Sequence, residues 1–295
     1  MRKIVLLLLG AALLLGCQQG KISQQLSEVN ELLVAELNDS AYQKINEIDE
    51  SAISNPADKA YYTLLKVRSA LLVGKHIASS DSLLDGVIAY YEQNSDKEKL
   101  TDAYYYRAVV SSNQKDYKQA ILLYKSAEKL AVQSKNMYQQ HKIAEGLSYV
   151  NSRSANYNLQ LDYAKKALAI SKQLDSQKRM AYAYYLMDLA YNKLGFEDSA
   201  RQCLKQIPPI IDSVDKREKP YLLSNIGYLF RDSNPELAKK LLIASLSFEE
   251  LTASYEHLAE IYYKEGKAEE AYHLHLIGGL FFLGSIHLLL LYRVE

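Results

Sequence analysis

The chain has 295 residues, 48% of them hydrophobic, enough to bury a large core and to set disorder aside. Lys plus Arg and Asp plus Glu number 35 each, a balance that removes the usual electrostatic case for binding nucleic acid. With 12 Gly and 5 Pro, turns are scarce and helix is favoured, while 25 Tyr against 5 Phe and no Trp give an unusual aromatic content.

The N-terminus reads as an export signal: Arg2-Lys3, then an apolar stretch from Ile4 to Leu15 that is too short to span a bilayer comfortably. It ends in Leu14-Leu15-Gly16-Cys17, which resembles the lipobox of bacterial lipoproteins. That resemblance implies cleavage after residue 16 and diacylglycerol on the Cys17 thiol, a tether to the membrane through its acyl chains. An ordinary signal peptide with an incidental Cys is the alternative. Cys203 is then left alone, so no intramolecular disulfide supports the fold.

Residues 22–50 are expected to form a helical pair split near Asn38-Asp39-Ser40, and 57–74 a helix paired with 83–94 across the turn Ser79-Ser80-Asp81-Ser82. From residue 101 the chain repeats. Residues 101–134 carry Ala108, Ala120, Tyr124 and Ala127, with Asp116-Tyr117 suiting a turn into a second helix. Small residues recur where two antiparallel helices must approach to about 8 Å. Residues 141–174 are a weaker copy, with Gly146-Leu147-Ser148, Tyr157 and Ala167, but Gln160 and Ala164 in place of the small residue and the aromatic. Further copies start at 181, 220 and 252; the last holds the sharpest string, HLAEIYYKEGKAEEAY.

These positions resemble the tetratricopeptide repeat, which implies two antiparallel helices per unit, stacked into a curved rod. The expected fold is all-α, a right-handed helical-hairpin solenoid with a hydrophobic C-terminal helix. An amphipathic bundle is the competing reading. Five segments are expected: signal peptide 1–16, lipidated tether 17–23, divergent N-terminal helical repeats 24–100, repeats 101–273 and the C-terminal helix 274–295. The strings SNPADKAYYTLL and SDSLLDGVIAYYEQ also resemble exported repeat proteins of Gram-negative type, whose repeats precede a transmembrane helix and a helix-turn-helix DNA-binding domain.

In such a stack the first helix of each pair lines the inner surface, where outward positions would meet a ligand. By this register they include Tyr105, Tyr149, Arg153, Tyr182, Tyr185, Asn225, Tyr228 and Arg231. Tyr with interspersed Asn and Arg suits a protein or peptide ligand, since Tyr offers area at little entropy cost and a hydroxyl for a backbone. The reading against it is that many of these Tyr simply pack between repeats. The carboxylate clamp of Lys, Asn and Arg known in the repeat family is not complete here.

Nothing points to catalysis. No HExxH, phosphate-cradling glycine loop or G-x-S-x-G occurs, and neither metal nor cofactor is expected. His273 and His275 point to different faces of a helix, and with His257 would meet a metal only by accident of folding. The tail from Leu276 to Tyr292 reads LIGGLFFLGSIHLLLLY, at the lower limit of a spanning helix. A membrane span is the first reading; a buried capping helix and a truncated or frame-disturbed end are the alternatives. The expected partners are therefore a protein or peptide, and a membrane met through Cys17 and residues 276–292. A periplasm-facing scaffold in the cell envelope is the first expectation, placed in the inner membrane if the tail spans, with the outer membrane open to it otherwise. The sensory half of a membrane regulator lacking its output domain is the second.

Overall fold

The structure, a computed structural model, describes residues 20–75, 77, 79–214, 219–248 and 251–278. The signal segment, Cys17 and all but residues 276–278 of the apolar tail lie outside these. Every regular element among the described residues is helical. The chain divides into two compact units, residues 1–166 and 167–295.

In the first unit, α1 (20–34) and α2 (Asn38–Asn46) pack ahead of α3 (Pro56–Leu72) and α4 (Ser80–Asn94). Then come α5 (Lys97–Asn113), α6 (Tyr117–Ser134), α7 (Met137–Arg153) and α8 (Tyr157–Gln173), the last running across the boundary. The second unit holds α9 (Gln177–Leu194), α10 (Glu197–Ser213), α11 (Lys219–Phe230), α12 (Pro235–Leu246), α13 (Thr252–Lys264) and α14 (Ala268–Ile277). In each unit, neighbouring helices pair and alternate helices also touch: α3 meets α5 and α5 meets α7, as α9 meets α11 and α11 meets α13. That is how stacked hairpins differ from helices gathered about one centre.

The starts are set by capping. Asn55, Asp96, Asp116, Asn136 and Asn234 each accept a hydrogen bond from a backbone N–H of the first turn, at 2.9–3.1 Å. Pro56 and Pro235 sit where a missing N–H costs nothing. The ends explain the scarcity of glycine. Gly195 and Gly266 take left-handed φ of 79° after α9 and α13, but Lys115 (65°), Lys135 (55°) and Ala155 (58°) do the same after α5, α6 and α7. Such non-glycine turns cost about 1 kcal/mol each. Three boundaries differ from the sequence reading: Asn38-Asp39-Ser40 is the first turn of α2, α4 begins inside the expected turn at Ser80, and α5 begins at Lys97 because Asp96 caps it.

The small residues sit where the helices cross. Ala108, Ala120 and Ala127 are fully buried. A Cβ on Gly146 would lie 2.5 Å from Cζ of Tyr124, so α7 approaches α6 over the face of that ring. Gly227 is the equivalent on α11, where a Cβ would lie 2.7 Å from Leu242 Cγ on α12. Gln160 is accommodated: it is fully buried, and its backbone carbonyl accepts the Ser148 hydroxyl at 3.0 Å. Cys203 is a buried thiol.

Candidate functional site

Each unit brings its first helices together on one side; seven of the eight groove residues fall on those helices, and Arg231 directly follows α11. In the first unit, Tyr149 is 47% exposed on α7, and Arg153, one turn on, donates from Nε to the Tyr117 hydroxyl at 3.3 Å. Tyr105 on α5 is only half available. Its ring packs edge-on against Tyr106 and Tyr124, at 5.0 and 5.6 Å, and the Lys142 ammonium lies 4.6 Å from its centre. Tyr105 mainly packs within its own hairpin, with Lys142 of the next one over its ring.

Behind it lies an ionic network that the sequence does not reveal. Lys142 of α7 donates to Asp102 of α5 at 2.7 Å, Gln139 donates to the same oxygen at 2.9 Å, and Arg68 of α3 stands 3.9 Å from the other. Burial alone would raise the Asp102 carboxyl, but the charge and hydrogen bond of Lys142, with Arg68 and Gln139, hold it below the usual carboxylate range. The charge of Asp102 likewise keeps Lys142 protonated against the burial that works to neutralise it.

In the second unit, Tyr182 and Tyr185 stack on α9 with centroids 6.0 Å apart, and the Tyr185 ring meets Phe230 edge-on at 5.2 Å. Burial pushes the Tyr185 phenol up to about 12. On α11, Asn225 is exposed and Tyr228 partly so. The Arg231 guanidinium covers the Tyr228 ring at 3.8 Å and pairs with Glu260 of α13 at 3.4 Å. His257 of α13 lies against the same ring at 4.4 Å; burial, with Arg231 adding to it and Glu260 opposing, lowers its pKa. Arg231 is thus already neutralised, and the pair of Tyr228 and Arg231 acts as a rigid amphipathic platform, a contact worth roughly 1 kcal/mol.

Asp188 is the residue that sequence reasoning missed. It follows Tyr185 by one turn and precedes Asn192 by another, on the same face of α9. Only 2% of it is exposed, and Asn192 donates to it at 2.9 Å. Burial raises its pKa to about 6, against the smaller opposing effect of that hydrogen bond. A carboxylate with one neutral donor and little water calls for a cation. Its spacing from Tyr185 was the available signal. Among the described residues no group of three or more His, Cys, Asp or Glu is placed to hold a metal ion.

No protein-family model matches the chain. The curated transcriptional activator NprA of Geobacillus stearothermophilus is 28% identical over 174 residues, 58% of this chain. The match spans only 42% of NprA. Among solved structures, a Rap protein complexed with competence and sporulation factor superposes with a TM-score of 0.57 at 19% identity, covering 88% of this chain and 77% of that one. NprR in complex with its cognate peptide NprX gives 0.55 at 16%, covering 88% and 78%. Aspartyl phosphate phosphatase F of Bacillus subtilis gives 0.56 at 16%, covering 91% and 72%. The fold is tetratricopeptide-like, similar to Rap and NprR proteins. The organisms named with these relatives, Bacillus and Geobacillus, lend no support to the Gram-negative origin expected from the sequence. No helix among the described residues is long and apolar enough to cross a membrane, and the expected span 276–292 falls almost wholly outside them.

Proposed function

We propose that the chain is a non-enzymatic scaffold that binds an extended peptide, or a peptide segment of a partner protein, on the first-helix face of its second unit. The observation that carries the reading is Asp188, a buried carboxylate with Asn192 as its one neutral donor, one turn along α9 from the Tyr182 and Tyr185 stack, in the unit that also holds the Tyr228 and Arg231 platform. Aromatic faces take the backbone and apolar side chains of a ligand, and Asp188 takes a basic one. Asn225, Asn192 and Tyr228 supply hydrogen bonds to main chain. The solved complexes of Rap and NprR with peptide ligands support a peptide as the ligand class. In the first unit, Tyr149 and Arg153 stand on a first helix of their own, α7.

The test is fluorescence anisotropy with labelled octapeptide pools carrying Arg, or Gln, at a fixed central position. The Arg pool is expected to bind saturably, and Asp188→Asn and Tyr228→Ala each to weaken it by about tenfold or more, with helicity retained. Equal binding of the Gln pool, or no saturable binding, defeats the proposal.

The lipobox-like Leu14-Leu15-Gly16-Cys17 supports a lipid anchor and residence in the cell envelope, with the repeats facing the periplasm. Metabolic labelling with palmitate is expected to mark the wild type and not Cys17→Ser; an unlabelled wild type removes the anchor. The match to NprA favours a second reading, the ligand-sensing part of a transcriptional regulator. Coding sequence read in frame beyond Glu295 separates the two, since a DNA-binding segment there supports the regulator and a stop codon the scaffold.

A further inference from the structure

On α6, positions 118, 122, 125, 129 and 132 follow one another at spacings of three and four, and so form one stripe along the helix. The stripe is about 21 Å long at 1.5 Å per residue. It reads Lys118, Leu122, Lys125, Lys129 and Val132, and all five are exposed, Leu122 and Val132 to more than half.

The start of α8 lies beside it. Lys125 donates to the Tyr163 hydroxyl at 3.0 Å, and Lys166 donates to Glu128 at 2.6 Å. Leu159, 49% exposed, and Lys165 belong to the same part of α8. The face thus holds five lysines against two carboxylates, Glu128 and Asp162, and Glu128 is already shared by Lys125 and Lys166. Lys118 and Lys129 have no partner among the described residues. The concentration is local. α4, the second helix of the preceding hairpin, carries no Lys or Arg, and its exposed acids are Asp85, held by Arg107 at 2.8 Å, and Glu92, which accepts the Tyr104 hydroxyl.

The residue types narrow the partner. Every cation on the face is Lys, a hydrated and flexible point charge without the planar fork that grips one carboxylate or phosphate in two-pronged fashion. The exposed apolar groups are aliphatic and separated by lysines, whereas a protein hot spot gathers around an aromatic or Arg anchor. Lysines around separate aliphatic side chains suit a surface with diffuse negative charge and an apolar layer beneath it.

We infer that the exposed face of α6 and the start of α8 docks on an anionic phospholipid surface, with Lys118, Lys125, Lys129 and Lys166 at the headgroups and Leu122, Val132 and Leu159 between them. The inference requires neither the lipid anchor at Cys17 nor the peptide reading. Where an acyl chain supplies one hold on a membrane, this face supplies a second.

Co-sedimentation of the full chain with vesicles of phosphatidylcholine alone, and of phosphatidylcholine and phosphatidylglycerol in equal parts, tests it. Neutral vesicles record whatever the apolar segments 4–15 and 276–292 contribute, so the effect is read as the ratio of the anionic to the neutral partition coefficient. Each lysine near an anionic surface contributes about fivefold, so the face's net excess of three predicts a ratio of about a hundred at low salt. High salt is expected to bring the ratio close to unity. Lys118→Gln combined with Lys129→Gln is expected to lower it by about tenfold or more, with helicity retained because both side chains are exposed. The same charge change on exposed lysines of the second unit, Lys205→Gln with Lys240→Gln, is expected to leave it within about twofold. A wild-type ratio near unity, or equal losses in the two double variants, would overturn the inference. So would a Lys118 and Lys129 variant that keeps vesicle binding but loses binding to poly-L-glutamate, since the face would then be a contact for an acidic protein.

Discussion

Phe230→Ala is expected to destabilise the second unit by about 3–5 kcal/mol, among the largest effects of any single side-chain truncation in this chain. Phe230 closes α11 with no exposed surface, in a cluster that gathers Ala181 of α9, Ile207 and Ile211 of α10, Leu242 of α12 and Leu258 of α13. Removing the ring leaves a cavity that several helices would have to move to fill, so relaxation is limited and the cost stays near the top of its range. It also withdraws the edge-on partner of Tyr185, freeing a ring that the proposed site needs fixed. Denaturant unfolding of the full chain, followed by circular dichroism, measures the loss. Tyr185→Phe is the control: it keeps the ring contact and is expected to cost under about 1 kcal/mol. A loss below about 1 kcal/mol for Phe230→Ala itself would mean that the cluster does not organise this unit.

The contrast between these packing residues and the ionic ones explains what the sequence discloses. Ala108, Ala120 and Ala127 are legible because two helices cannot cross closely over large side chains, so size alone marks the positions. The hairpin boundaries are less so. Lys115, Lys135 and Ala155 adopt a left-handed backbone without being glycine, because the packed helices on either side impose it. Asp102 and Lys142 stand forty positions apart and each reads as a charge on a solvated helix face; only the contact between α5 and α7 makes them one network. Of the groove residues, Tyr149, Arg153 and Asn225 are exposed as the register requires. Tyr105 and Tyr185 are not, because an aromatic at an inner position also reaches side chains of its own hairpin and the next: Tyr124 and Lys142 for Tyr105, Phe230 for Tyr185. Polarity patterns distinguish core from surface well, and inner surface from inter-repeat seam poorly.

The same burial that hid Asp188 makes its replacement informative. Asp188→Asn is expected to stabilise the protein at neutral pH by about 2–3 kcal/mol at most, while weakening capture of the basic peptide pool. Its folded pKa, near 6, stands above the unfolded value near 3.8, so the native state holds the extra proton between those two values. The stability associated with the neutral carboxyl is therefore fully present below about pH 4, is lost as pH rises through 6, and leaves a constant penalty above that. Asparagine carries no charge at any of these values, so the variant removes both the penalty and the slope between pH 4 and 6. Urea unfolding at pH 4.5, 5.5 and 7 measures this directly; the wild type should weaken across the series relative to the variant, with the two nearest in stability at the acid end. A difference that is the same at every pH would mean the carboxylate is not buried as charge. A group kept at such a cost to the free protein is best accounted for by a ligand cation that restores its partner on binding, so a variant that is both more stable and unable to discriminate Arg from Gln peptides joins the energetic and functional arguments in one residue.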